Sequence, residues 1–299
     1  MFAENLIEVE CDCPVELVPG HFLRRGSNDE IGRIREVLQK SQEAMMATLP
    51  YETLRTDGGA RIDIPQREWK YWFIECRDTS AFTSMNGGFQ AIEEASGLTD
   101  CHLRCRIMFA PAGGTMYFGH GGESALDSFD LIFGRGMPLT RQIAEEIPQI
   151  HTEIVATTSE FEEIRRSLDL FRQVSRMHGS DHLSVLGLFS VIESLLTHNP
   201  RGEYDSLGHQ IRTKVLLLDK RFVRPIDYAA FDNVLPKTVW SKLYELRSRI
   251  AHGGQLDFKN SLKVLKDLNT STDFLRQTTR RVLRHALVEP QLILDLRYC

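Results

Sequence analysis

Nine consecutive residues hold the side chains best suited to acid–base chemistry: Leu246-Arg247-Ser248-Arg249-Ile250-Ala251-His252-Gly253-Gly254. An imidazole with an ordinary pKa of about 6.5 takes up or releases a proton near neutrality. A guanidinium stays charged and forks onto two phosphate oxygens, stabilising charge as it develops. RNA cleaves itself when its 2′-hydroxyl attacks the adjacent phosphate, and that reaction needs a base, an acid and a cation. It needs no metal and no cofactor. Acid–base help of this kind is worth on the order of 10²–10⁴-fold.

Spacing alone is weak evidence. With 27 Arg and 10 His in 299 residues, about one Arg-x4-His pair arises by chance; the chain holds two, Arg247/His252 and Arg280/His285. Residues five apart lie about 140° apart around a helix. They converge only where the helix stops or a second chain contributes. Gly253-Gly254 is a natural C-terminal stop for the first pair. The second pair sits in the unbroken stretch from Thr278 to Ala286, where Arg280, Arg281, Arg284 and His285 read as a solvated basic face.

The surrounding elements read as helices. Thr158-Ser159 precedes Phe161, Ile164, Leu168, Phe171, Val174 and Met177, a 3–4 period. Gly179 ends that helix. Leu183 to about Leu196 is apolar nearly all round, which predicts a central place in a bundle. His198-Asn-Pro-Arg-Gly202 breaks it, a third helix spans roughly Leu207 to Leu218, and Pro236 suits the first turn of a fourth. A last helix, kinked or split near Asn269, is expected to run towards Ala286 before Pro290.

Upstream the texture is mixed. Ile7 to Cys13 alternates as a half-buried strand does. Ser27-Asn28-Asp29 can cap a helix reaching about Leu49. Trp69 to Cys76, Cys101 to Phe109 and Thr115 to Phe118 are strand-like, and Trp69, Tyr71, Trp72 and Phe73 suit core packing better than base stacking. Gly87-Gly88, Gly113-Gly114 and Gly121-Gly122 read as turns, since none fits a dinucleotide or phosphate loop. The fold class expected is α+β: a mixed N-terminal domain over 1–155, then an all-α helical bundle over 156–299.

The acid of the apolar helix (Leu188-Phe-Ser-Val-Ile-Glu193-Ser-Leu-Leu196), followed by Leu-Arg-Ser-Arg-Ile-Ala-His-Gly-Gly, resembles the HEPN superfamily and, within it, the ApeA-like HEPN group. The resemblance covers about residues 159–288. It implies a helical bundle, often dimeric, and a metal-independent endoribonuclease that leaves 2′,3′-cyclic phosphate ends, as in antiviral-defence or toxin effectors. The family's catalytic Arg and His fall on Arg247 and His252, and its earlier acid on Glu193. Ser248 stands where the family commonly has Asn, Asp or His. Gly254 stands where one subgroup carries a modified Tyr.

One chain supplies one such His, so two proton transfers imply a homodimer with a shared cleft. Arg249, Arg212 and Lys214 are candidate contacts to RNA backbone, with a solvated face as the plainer reading for Arg212 and Lys214. A structural alternative exists at the centre too: Arg247 can tie two helices through Glu193, and His252 can bond the last carbonyls of its helix. The corresponding functional alternative is a non-catalytic module binding a protein or nucleotide partner.

Composition sets the remaining bounds. The formal net charge of −5 argues against a bulk nucleic-acid binder, yet residues 1–159 carry −10 and residues 160–299 carry +5. A basic half attracts phosphate while an acidic half limits indiscriminate binding. The acidic half is expected to sense a trigger, hold a regulatory protein partner or restrain the nuclease. No apolar run reaches the ~18 residues of a membrane span, and the acidic start lacks a secretory pattern, which places the chain in the cytoplasm. Six sparse cysteines read as free thiols; Cys101, Cys105, His102 and His120 are only a faint hint of zinc.

Overall fold

The computed structural model describes residues 2–3, 6–40, 53–55, 61–77, 82–103, 105–109, 115–117, 137–175, 177, 182–202 and 205–299. The fold is α+β, and the chain divides into two compact units, Met1–Thr152 and Glu153–Cys299. The division falls inside one helix, Arg141–Ala156.

In the first unit, strands β1 (Phe2–Ala3), β3 (Val15–Val18), β4 (His21–Arg25), β7 (Trp72–Cys76), β8 (Cys105–Phe109) and β9 (Thr115–Tyr117) form one sheet. Its order is β3-β4-β7-β1-β8-β9, with every neighbouring pair antiparallel. Strands β5 (Thr53–Arg55) and β6 (Arg61–Asp63) pair separately, and β2 (Leu6–Val9) runs parallel to β10 (Met137–Leu139). Helix α1 (Asn28–Lys40) starts in a reciprocal cap. The Glu30 N–H donates to Ser27 Oγ and the Ser27 N–H donates to Glu30 Oε2, at 3.3 and 2.9 Å. Arg24 also grips Glu30 at 2.6 Å and holds its carboxyl down at about 2.

Trp69, Tyr71, Trp72 and Phe73 are buried, with Phe2 stacked on Tyr71 at 5.4 Å. That closes them to bases. Gly87-Gly88 is not a turn; it lies inside helix α2 (Phe82–Gly97). A Cβ at Gly88 would overlap the His21 ring at 1.9 Å, so close helix–sheet packing accounts for Gly88. The expected residues 41–49 of the first helix, the Ala110–Gly114 connection, Gly121-Gly122 and His120 lie outside the described residues.

In the second unit, the end of α3 (Arg141–Ala156) leads to α4 (Glu162–Ser175), α5 (His182–Leu196), α6 (Leu207–Asp219), α7 (Pro236–Ala251), α8 (Leu268–Val288) and α9 (Pro290–Tyr298). Helix α5 packs against α4, α6, α7, α8 and α9. Its Val185, Leu188, Phe189, Val191, Ile192, Leu195 and Leu196 are all buried, as an all-round apolar helix requires. Gly187 lets α5 meet Val174 of α4, where a Cβ would come within 2.5 Å.

The end of the chain departs from the sequence expectation. Helix α8 begins at Leu268, where Asp267 accepts the Thr270 N–H at 2.7 Å, and residues 255–267 form turns and a short 3-10 segment. Pro290 opens helix α9 rather than closing the helical region, because its missing N–H costs nothing in a first turn. The expected basic face over Arg280 to His285 is not solvated. His285 is buried, Arg281 donates to the Pro225 carbonyl, and Arg284 pairs with Glu153 at 3.4 Å. Those cations tie α8 to its neighbours.

Candidate functional site

Helix α7 positions the Arg247/His252 pair. Pro236 starts it, and Val239, Trp240, Leu243 and Leu246 bury one face in the core. Arg247, one step beyond Leu246, reaches Glu193 of α5. Its Nη2 donates to Oε2 at 3.3 Å and lies 3.2 Å from Oε1. The side chains are 26% and 17% exposed, and the guanidinium carbon lies 5.8 Å from the centre of the Tyr244 ring. Only one of the three guanidinium nitrogens holds the carboxylate; Nε and Nη1 have no hydrogen bond among the described residues. This leaves a half-buried cation with donors to spare beside an acid.

His252 is the residue at which α7 stops. Gly253 has φ +66°, its N–H donates to the Ile250 carbonyl at 3.3 Å, and the Gly254 N–H donates to the Arg249 carbonyl at 2.7 Å. This is the paired 6→1 and 5→2 closure that glycine permits. The His252 N–H still bonds the Ser248 carbonyl at 3.1 Å, but its side chain is exposed and makes no hydrogen bond among the described residues. The structure therefore joins Arg247 to Glu193, and no hydrogen bond links the His252 ring to either among the described residues. The expected glycine stop is met.

Arg249 braces the same turn. It pairs with Glu245 at 2.6 Å and donates to the Gln255 carbonyl at 3.0 Å. Lys242, on the other side at 2.8 Å, and Arg249 together hold the Glu245 carboxyl below its ordinary value. Arg249 thus commits Nη1 and Nη2 within its own helix end.

Of the two α6 candidates, Arg212 is half-buried and donates to His209 Nδ1 at 3.1 Å. Lys214 corrects the expectation of an outward-facing cation. It is 7% exposed, donates to the Arg297 carbonyl at 3.3 Å, and burial pushes its ammonium below the ordinary lysine value. The face of α6 that carries Lys214 turns towards α9, an element absent from the sequence expectation.

Four residues escaped sequence reasoning: His198, Arg201, Arg297 and Tyr298. With Glu193, Ser194 and Thr197 they line a groove of about 580 Å³. Its walls are Thr197, His198, Asn199 and Arg201 after α5 and the end of α9. His198 locks the two together, with Nε2 at 2.9 Å from the Cys299 main-chain oxygen and Nδ1 at 2.8 Å from that of Asn199. The only signal was the break His198-Asn-Pro-Arg-Gly202, which marks a loop but not its partner.

Among the described residues, no group of three or more His, Cys, Asp or Glu is arranged to hold a metal ion. Cys101 is buried in a tight turn bonded by Thr99. Also among the described residues, no helix is long and apolar enough to cross a membrane. Comparison with family models, curated proteins and solved structures finds no match to this chain.

Proposed function

We propose that the second unit is a metal-independent endoribonuclease of HEPN type, working as a homodimer. The observation that supports this reading is the end of α7. Among the described residues it leaves His252 exposed with neither ring nitrogen hydrogen-bonded, while Arg247 stays half-buried with unused donors beside Glu193. In this reading Arg247 binds a phosphate oxygen pair and stabilises the phosphorane. His252 takes the 2′-hydroxyl proton, and the His252 of a second copy protonates the leaving 5′-oxygen. Glu193 fixes the rotamer of Arg247. A defence or toxin role, with the first unit restraining the activity or holding a regulatory protein, follows from the same resemblance.

The test is cleavage of RNA by purified wild type beside His252→Ala and Arg247→Ala, in EDTA, with end analysis. Loss of roughly 10²-fold or more in each variant, with 2′,3′-cyclic phosphate ends from wild type, is the expected outcome. Equal cleavage by all three assigns the activity elsewhere.

The Arg247–Glu193 ion pair favours one second reading: a non-catalytic module in which the pair only ties α7 to α5. It predicts that Arg247→Ala loses stability, that His252→Ala changes nothing, and that no RNA is cut.

A further inference from the structure

A second groove, of about 610 Å³, opens beside α6 and is lined by Arg201, Asp205, His209, Thr213, Lys214 and Leu217 among others. Its base is a lysine in an unusual position. Lys214 is 7% exposed, and among the described residues its ammonium makes one hydrogen bond, to the Arg297 carbonyl at 3.3 Å. An ammonium has three donors, and a buried charge is costly unless it is paired and fully bonded. The last carbonyls of α9 offset part of that cost, but two donors remain.

Cys299 and Asp205, which line the same groove, both favour the ammonium's charge, and the Asp205 carboxylate is already engaged elsewhere. Asp205 Oδ2 accepts the main-chain N–H of Arg201 at 2.9 Å and lies 3.7 Å from His198 Nδ1. Arg201 itself is exposed, and its guanidinium has no hydrogen bond or ion pair among the described residues. At the rim, Arg212 donates to His209 Nδ1, which puts the ring proton on Nε2, 3.5 Å from Thr213 Oγ1. Leu217, half exposed, and Leu296 supply an apolar wall.

The geometry points to this groove as the binding site of a small phosphomonoester, whose terminal phosphate enters end-on to Lys214 and Arg201 while its organic body lies along Leu217 and Leu296. Two cations and the Thr213 hydroxyl suit a dianion. Lys214 is a residue only 7% exposed, which favours a terminal phosphate over an RNA diester flanked by sugars on both sides. Arg201 also lines the groove that holds Glu193, so an occupied site would touch the wall of its neighbour. The inference does not depend on RNA being cut at α7.

The experiment is calorimetric titration of the full chain with adenosine 5′-monophosphate, ribose 5-phosphate, inorganic phosphate and adenosine. Beside wild type stand Lys214→Met, Arg201→Ala and, as a control far from any assigned role, Lys237→Ala. Saturable binding of the phosphate esters but not adenosine is expected, weakened about tenfold or more by Lys214→Met or Arg201→Ala and unchanged in Lys237→Ala. Comparing the two esters tells a nucleotide from a sugar phosphate. Because Arg201 is exposed, its variant decides the matter even if Lys214→Met folds poorly. No saturable binding to wild type overturns the proposal and leaves Lys214 a structural cation. So does binding that ignores both variants, or equal competition by an RNA oligomer without a terminal phosphate.

Discussion

At the residue scale, the Arg247–Glu193 contact decides between two roles, and its geometry makes both measurable. The pair is only partly exposed, and a single nitrogen bears the carboxylate. Removing one partner leaves the other charge in a half-buried position. Glu193→Ala is therefore expected to cost about 1–3 kcal/mol in chemical denaturation. Glu193→Gln keeps an acceptor and should recover part of the loss. If Glu193→Ala unfolds at the wild-type denaturant midpoint, the pair holds nothing together and its place beside Arg247 must be explained by a ligand alone. His252 is expected to behave oppositely. Its exposed ring has no hydrogen bond or ion pair among the described residues, so His252→Ala should leave the midpoint within about 0.5 kcal/mol, as is usual for a surface position. Any loss of RNA cleavage in that variant is then chemistry, not unfolding.

At the element scale, three glycines make close approach or closure possible, and the closure and close-approach positions predict different costs. Gly253 lies at φ +66° with open space around it. Gly253→Ala should cost about 1 kcal/mol from backbone strain alone. Gly187 sits where α5 meets Val174 of α4, and Gly208 sits where a Cβ would come within 2.7 Å of the Tyr244 ring. Alanine there must push a packed side chain aside, and about 1–3 kcal/mol of destabilisation is expected for either change. A Gly208→Ala protein as stable as wild type would mean that Tyr244 swings away freely. Helix α8 carries the pH dependence. Burial holds the His285 imidazole below its ordinary value of 6.5; Arg221 adds to this and Glu289 opposes it. As pH falls through 6.5 the unfolded chain takes a proton that the folded chain resists. Stability from this residue is thus full above that value and is lost below it. The unfolding free energy should fall more between pH 7.5 and 5.5 in wild type than in His285→Gln; parallel losses would assign the effect to another group.

At the scale of the whole molecule, the division between units falls within α3. Glu153 and the buried Ile154 belong with the helical unit, Glu153 pairing with Arg284. Arg165 also donates to the carbonyls of Ile154 and Thr157. A truncation that begins at residue 156 removes those partners, whereas one that begins at 141 keeps them. The longer fragment is expected to be the more stable in thermal unfolding. It is also the fair one for asking whether the first unit restrains RNA cleavage. An unchanged rate in the 141–299 fragment would count against restraint. The homodimer is a mass-action matter, checked by sedimentation of the full chain over a range of concentrations.

Local pattern determined much of this protein. The period of α4, the all-round apolarity of α5, Pro236 at the start of α7 and the glycine stop after His252 are rules between residues a few positions apart. They carry the same meaning in a sequence as in a fold. Arg247 was identifiable from its chemistry beside a glycine stop, and Glu193 from the resemblance to the HEPN superfamily. What only the tertiary structure decided lies between residues far apart. Lys214 turned inward because the end of α9, begun by a proline that reads as a stop, offers it the Arg297 carbonyl. Gly88 admits no side chain because His21, 67 positions earlier, fills the space one would take. Arg281 and Arg284 became ties because their partners, Pro225 and Glu153, come from loop 220–226 and α3. Their partners are distant in the chain, and distance along the chain is the one thing that periodicity, capping and composition do not measure.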